Sequence, residues 1–202
     1  MKVQRKPTIK KKIIRRLSIL KDKLFGYDFL TTIAPEKIGL DPNHFSRCSP
    51  SVSKYLINVI NSFNISQKDS ILDIGCGKGS VLNLLLKYKF KKIGGIEISE
   101  ELSDICKKNF LKKNDSRIKI FNQDARSFQK FNDFNFYYLY NPCSGEILLP
   151  IIKKIVETSN EKKTLIYNYP KYEEILLLNG FKYVKTFEDE WGNGINIYEL
   201  DV

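Results

Sequence analysis

The chain has 202 residues, 42% of them hydrophobic, and a formal net charge of +11. That length supports one well-cored domain with an appendage and is too short for two full domains. The four cysteines (Cys48, Cys76, Cys106, Cys143) form no Cys-x-x-Cys pair, and the single histidine, His44, is close in sequence only to Cys48, so no metal site is expected. No apolar run approaches the length of a bilayer span, and no signal-type core with a cleavage site is present, which makes a reducing cytoplasm the expected compartment.

The charge is concentrated. Residues 1 to 23 carry ten Lys/Arg against Asp22, a net +9, whereas the rest of the chain has 24 basic and 22 acidic side chains, a net +2. Ile9, Ile13, Leu17, Leu20 and Leu24 recur at helical spacing among Lys10, Lys11, Lys12, Arg15 and Arg16, so residues 1–24 read as a basic amphipathic helix. Three uses stay open for it: packing of the stripe on the domain, contact with an anionic lipid surface, or an arm on nucleic acid. A narrow stripe with a charged back most often docks on its own domain. Lipid contact would make the chain peripheral at a membrane.

Residues 25–202 read as a single domain, with an entry segment at 25–68 and a core at 69–202. Pro35, Gly39 and Asp41-Pro42 make the start of the entry segment loop-rich. Ser49-Pro50-Ser51 then offers capping hydroxyls to a helix through Val52, Leu56, Ile57, Val59 and Ile60 that ends near Phe63. From residue 70 strands and helices alternate. Strands are expected at 70–75, 92–98, 117–122, 134–140, 163–169, 181–187 and 194–200, with helices at about 79–89, 99–111, 146–158 and 171–179. Such alternation implies a mostly parallel sheet covered on both faces. The last two strands have only the turn at Trp191-Gly192-Asn193 between them and must pair antiparallel.

The most informative stretch is Ser70-Ile-Leu-Asp-Ile-Gly-Cys-Gly-Lys-Gly-Ser80, an apolar strand that ends in an acid and opens into a glycine turn before a helix. Glycines permit positive φ and leave no Cβ between backbone and a flat polar ligand, and the helix behind them directs free N–H groups outward. The dinucleotide fingerprint Gly-x-Gly-x-x-Gly fits less well, since its sixth position is Ser80. Asp73, Gly75, Gly77 and Gly79 match Asp/Glu-x-Gly-x-Gly-x-Gly, and the segment resembles motif I of the class I S-adenosylmethionine (SAM)-dependent methyltransferases. The resemblance implies SAM as cofactor and a Rossmann-like α/β fold: a seven-stranded, mostly parallel sheet with an antiparallel C-terminal hairpin, helices on both faces and extra N-terminal helices.

The same resemblance assigns further residues around the cofactor. Glu97, 22 residues after Gly75, would accept both ribose hydroxyls; Ile98 would pack on the adenine, and the Asp124-Ala125 step would hold the adenine amino edge. Asp124 also has a plain reading as a helix N-cap. Asp73 is expected to order the glycine turn through backbone N–H groups or to reach the amino-acid end of SAM, with Cys76 beside it in the turn. Tyr140-Asn141-Pro142 at the end of the fourth strand stands where the acceptor meets the methyl, and the resemblance counts Asn141 among the cofactor-binding residues as well. It resembles the Asn/Asp-Pro-Pro-aromatic motif of amino-group methyltransferases, with Cys143 and Ser144 replacing the last two residues. A Pro-Cys step is also similar to that of pyrimidine C5 methyltransferases, which need a thiolate. Ser49-Pro50, residues 73–79 and Tyr140–Pro142 together resemble bacterial Dot1-like methyltransferases.

The expected function is methyl transfer from SAM to a nitrogen or oxygen of a small molecule, glycan or protein side chain. A nucleic-acid methyltransferase is the alternative, as is a SAM-binding or RNA-binding module without turnover.

Overall fold

The computed structural model describes residues 9–188 and 194–202. The first eight residues of the basic tail and the expected Trp191-Gly192-Asn193 turn lie outside the described residues. Helix α1 (Ile9–Leu24) precedes an entry segment with one 3₁₀ turn at Pro35–Ile38, and α2 (Lys54–Asn61) leads into the sheet. The core then runs β1 (Ser70–Ile74), α3 (Ser80–Leu85), β2 (Lys92–Glu97), α4 (Glu100–Leu111), β3 (Ile118–Asn122), β4 (Phe136–Leu139), α5 (Gly145–Thr158), β5 (Lys163–Asn168), α6 (Glu173–Leu178), β6 (Lys182–Glu188) and β7 (Gly194–Leu200).

The seven strands lie in the order β3-β2-β1-β4-β5-β7-β6. All pairs are parallel except those of β7, which runs antiparallel to both β5 and β6. Side-chain alternation along the central strands divides the interior in two. Leu72, Ile74, Tyr137, Leu139, Leu165 and Tyr167 face a core closed by α5 and α6, while Ile71, Phe136, Tyr138 and Ile166 face a core closed by α2, α3 and α4. Strand order reverses between β1 and β4, so the carboxyl ends of these two strands diverge and leave a crevice, the usual ligand position in open α/β sheets.

Two local expectations are corrected. The cap of α2 is Ser53, whose side chain accepts the Leu56 N–H; Ser51 instead accepts the Tyr138 hydroxyl at 3.0 Å. Helix α3 stops at Leu85, short of residue 89: the N–H groups of Lys87 and Tyr88 turn to the carbonyls of Leu84 and Leu85, three residues back, and the carbonyls of Leu86 (2.9 Å) and Tyr88 (2.7 Å) beyond the helix end are taken by the Arg117 guanidinium. Ser99 does cap α4, and Gly180 follows α6 at φ +92°.

Candidate active site

The turn after β1 is fastened to β2. Gly75 and Cys76 both donate their N–H to the Ile96 carbonyl, at 2.9 and 3.0 Å, and Gly77 donates to Glu97 Oε2 at 2.9 Å. The other Glu97 oxygen accepts the Ser99 N–H at 2.9 Å, so one buried carboxylate orders both the glycine turn and the start of α4. This corrects the expectation for Asp73, which accepts no hydrogen bond from the turn. The glycines also make room for the protein's own chain. With φ of +80° and +53°, Gly75 and Gly77 adopt the left-handed region, and a Cβ on them would stand 2.5 Å from Pro142 Cβ and 2.7 Å from Cys48 Sγ. The space they leave is filled by the protein's own chain.

A cleft of about 970 Å³, counted to its open mouth, lies over the carboxyl ends of β1, β2 and β4. It is lined by every residue that the sequence assigned to the cofactor except Gly79 and Asn141, and by Tyr140 and Pro142. Glu97 and Asp73 are both buried in its floor, 5% and 3% exposed. Burial raises the Glu97 carboxyl, with the Ser99 and Gly77 N–H groups opposing the rise. Burial and the neighbouring Glu97 raise Asp73 well above the ordinary carboxylate range. Among the described residues nothing donates a hydrogen bond to Asp73. A buried acid without a protein partner, facing a cleft, is a ready receptor for a ligand's cationic amine. SAM carries such an amine as well as a ribose diol, and the residues present fit it. At the far side Asp124 accepts the Arg126 N–H as an N-cap and is also held by the Arg126 guanidinium at 2.6 Å, which keeps its carboxyl below the usual range. Asp124 is therefore a cap, the plainer of its two readings, and it also lines the cleft.

Asn141 lies just behind this cleft. It is buried at φ +41°, its Nδ2 donates to the Tyr169 carbonyl, and its Oδ1 accepts the Tyr167 hydroxyl at 2.9 Å. Tyr169 is itself at φ +59°, so strained backbone faces strained backbone at the ends of β4 and β5. Asn141 borders a smaller polar recess with His44, Ser144 and Lys171. Burial pushes the Cys143 thiol up to about 12, with Asp124 adding to the rise and Arg126 opposing it. At neutral pH it is a thiol and not the thiolate a covalent mechanism requires.

Sequence reasoning missed what the entry segment does. Ser46 N–H donates to the Pro142 carbonyl at 3.1 Å, Ser144 N–H donates to the His44 carbonyl at 2.8 Å, and Phe45 bridges Cys143, so residues 45–48 form one wall of the cleft. The wall is pinned from within the glycine motif: Lys78, its side chain 1% exposed, pairs with Asp28 at 2.9 Å and also bonds Thr31. Burial alone would raise the Asp28 carboxyl, but hydrogen bonds from Thr31 and Lys78 carry it below its ordinary value. Asn109 closes the group by accepting the Asp28 N–H and donating to the Lys78 carbonyl. A lysine between motif glycines was the available signal; Asp28 had none. Among the described residues no group of His, Cys, Asp or Glu could hold a metal.

Fold, glycine turn and acid-floored cleft define a class I SAM-dependent methyltransferase, and SAM is the cofactor. A family model described as ribosomal RNA adenine dimethylase matches residues 52–178, and the chain belongs to that family. It is 32% identical over 129 residues to an rRNA adenine N-6-methyltransferase of Lysinibacillus sphaericus, covering 63% of this chain and 51% of that protein. The chain thus spans about half the length of that relative. It is 28% identical over 143 residues to a probable cobalt-precorrin-6B C(15)-methyltransferase (decarboxylating) of Methanococcus maripaludis, covering 71% and 72% of the two chains. Among solved structures, the putative methyltransferase yhhF from Escherichia coli superposes with a TM-score of 0.60 at 14% identity, over 77% of this chain and 92% of that one, which shows the shared fold.

Proposed function

We propose that the chain transfers a methyl group from SAM to a nitrogen or oxygen of a small molecule, glycan or protein side chain. The observation that carries the reading is the pair of buried acids in one cleft: Asp73 without a protein partner and Glu97 at the end of the neighbouring strand. In this reading Asp73 takes the ammonium at the amino-acid end and Glu97 the ribose hydroxyls with its remaining lone pairs. Ile98 and Ala125 bound the adenine, and Asp124 meets its amino edge. Bound SAM supplies a methyl on a sulfonium already activated for in-line displacement. The protein's part is then alignment and exclusion of water. Asn141, whose carboxamide is fixed by Tyr167 and Tyr169, orients the acceptor from the end of β4. Tyr140 and Pro142 line the acceptor side of the same cleft.

A second reading, transfer to an adenine amino group of RNA, is favoured by the family match. Against it stand Cys143 and Ser144, which offer no aromatic face to a base at the end of β4, and the near-neutral charge of residues 24–202. Calorimetry with S-adenosylhomocysteine should give micromolar binding, about −8 kcal/mol, weakened by about 2 kcal/mol in Glu97→Ala. Tighter binding of NAD would overturn the cofactor assignment. Tritiated SAM offered separately to ribosomal RNA and to a nucleic-acid-free extract should label the extract. Label confined to adenine in the RNA would replace the first reading with the second.

A further inference from the structure

Helix α1 does not pack its apolar stripe on the domain, contrary to the use the sequence favours. Ile9, Ile13, Leu17, Leu20 and Leu24 are 52% to 78% exposed. At 3.6 residues per turn they occupy a sector of roughly 80°. Asp22 lies on the opposite side of the helix, and it is Asp22 that ties α1 to the body, accepting the N–H groups of Phe29 at 2.6 Å and Leu30 at 3.2 Å. The partly buried positions of α1, Ser18, Ile19 and Asp22, share that side. The stripe is therefore turned outward by the contact that fastens the helix.

The cations are placed with equal regularity. On the same helical projection Lys10 and Lys21 border one edge of the stripe, and Lys12, Arg16 and Lys23 border the other, all of them exposed. An occupant of this face must accept five apolar side chains and at the same time neutralise two flanking rows of positive charge. RNA satisfies the cations and leaves the stripe in water. A second copy of the chain would cover the stripe but bring four rows of like charge together. An anionic bilayer surface meets both demands: the stripe enters the boundary of the acyl region, and the long basic side chains reach back to the headgroups. With 16 residues, α1 is shorter than the roughly 20 needed to span a bilayer, and among the described residues no helix is long and apolar enough to cross one.

We propose that α1 is an in-plane anchor that holds the domain on an anionic lipid surface, stripe inward. The anchor is independent of which acceptor the cleft takes. Flotation of the full chain with vesicles of phosphatidylglycerol and phosphatidylcholine tests it, beside pure phosphatidylcholine vesicles and free ribosomal RNA. The chain should float with the anionic vesicles, at least tenfold more weakly with the neutral ones, and less as salt rises from about 50 to 200 mM. Leu17→Glu with Leu20→Glu should reduce anionic-vesicle binding at least tenfold while leaving the thermal melt and S-adenosylhomocysteine binding unchanged, since both side chains are exposed. Failure of the wild-type chain to float, or a stripe variant that floats as well as wild type, would overturn the anchor. So would excess RNA that strips the chain from vesicles while binding the stripe variant undiminished, an outcome that assigns the helix to nucleic acid.

Discussion

The Tyr167 hydroxyl donates to Asn141 Oδ1 across the ends of β5 and β4, and the opposite end of the same carboxamide is held by the Tyr169 carbonyl. The side chain proposed to orient the acceptor therefore cannot turn without breaking a buried bond. Asn141→Ala is expected to lower turnover by about 10²-fold with little change in cofactor affinity, the pattern of an interaction made at the reacting centre. Tyr167→Phe removes the clamp together with a hydrogen-bond partner of the Lys171 and Tyr172 backbone, at about 1 kcal/mol of stability or more, and should lower kcat by roughly tenfold with S-adenosylhomocysteine affinity intact. Steady-state kinetics beside calorimetry checks both, and an unaltered kcat in Tyr167→Phe would remove the clamp from the mechanism.

Asp73 makes a pH-dependent claim. Because its carboxyl is raised in the folded chain, the folded apo-protein keeps a proton that the unfolded chain releases. Its contribution to stability is complete below the ordinary carboxylate range and is lost as pH rises through the raised value. Binding of an ammonium favours the ionised form, so cofactor affinity should rise over the same interval. Asp73→Asn should reduce both dependences to the part that the raised Glu97 carboxyl leaves: the apo-protein melts higher at neutral pH, and S-adenosylhomocysteine binds about 2 kcal/mol more weakly. Melts and titrations run from acid to alkaline pH test the pair. A variant that keeps wild-type affinity would show that Asp73 does not meet the ligand.

The Lys78–Asp28 pair predicts an asymmetry between its two halves. Asp28→Ala leaves a lysine ammonium almost wholly buried with one oxygen partner fewer, and should destabilise by about 3–5 kcal/mol. Lys78→Met keeps the volume and leaves behind only a carboxylate that is one-third exposed, which water can solvate, so its loss should be clearly smaller. Urea denaturation of the two variants measures the difference, and equal losses would contradict a desolvated lysine as the cause.

Cys143→Ser should retain most activity, and no adduct should form at this position on incubation with SAM and acceptor, because the buried thiol is protonated at neutral pH. Intact-mass spectrometry of the incubated protein is the direct check. An adduct would restore the covalent pyrimidine mechanism.

What the sequence made legible was local. Asp73, the glycines, Glu97 and the Asp124-Ala125 step each sit at a strand end with its own punctuation, and strand periodicity located all seven strands to within two residues at either end. What it could not show depended on distant partners. Arg117 takes up the Leu86 carbonyl past the end of α3 from 31 positions away, and the Asp22 contact decides which way the stripe of α1 faces. The task of ordering the glycine turn belongs to Glu97 and not Asp73, because the strand register brings Ile96 and Glu97 alongside the turn. Asn141 stands out in the sequence at the end of the fourth strand, yet its partners Tyr167 and Tyr169 come from β5 and the residue after it, whose place in the sheet no local pattern states.

The wall of the cleft has a further consequence. Residues 28–48, which carry Asp28, His44, Ser46 and Cys48, all precede the region shared with the ribosomal RNA adenine dimethylase family, whereas the floor with its two acids lies inside it. Floor and wall thus come from separate stretches of the chain, joined through the pairing of Lys78 in the glycine turn with Asp28. A change in residues 45–48 would therefore reshape the side of the cleft while leaving the two acids in its floor untouched.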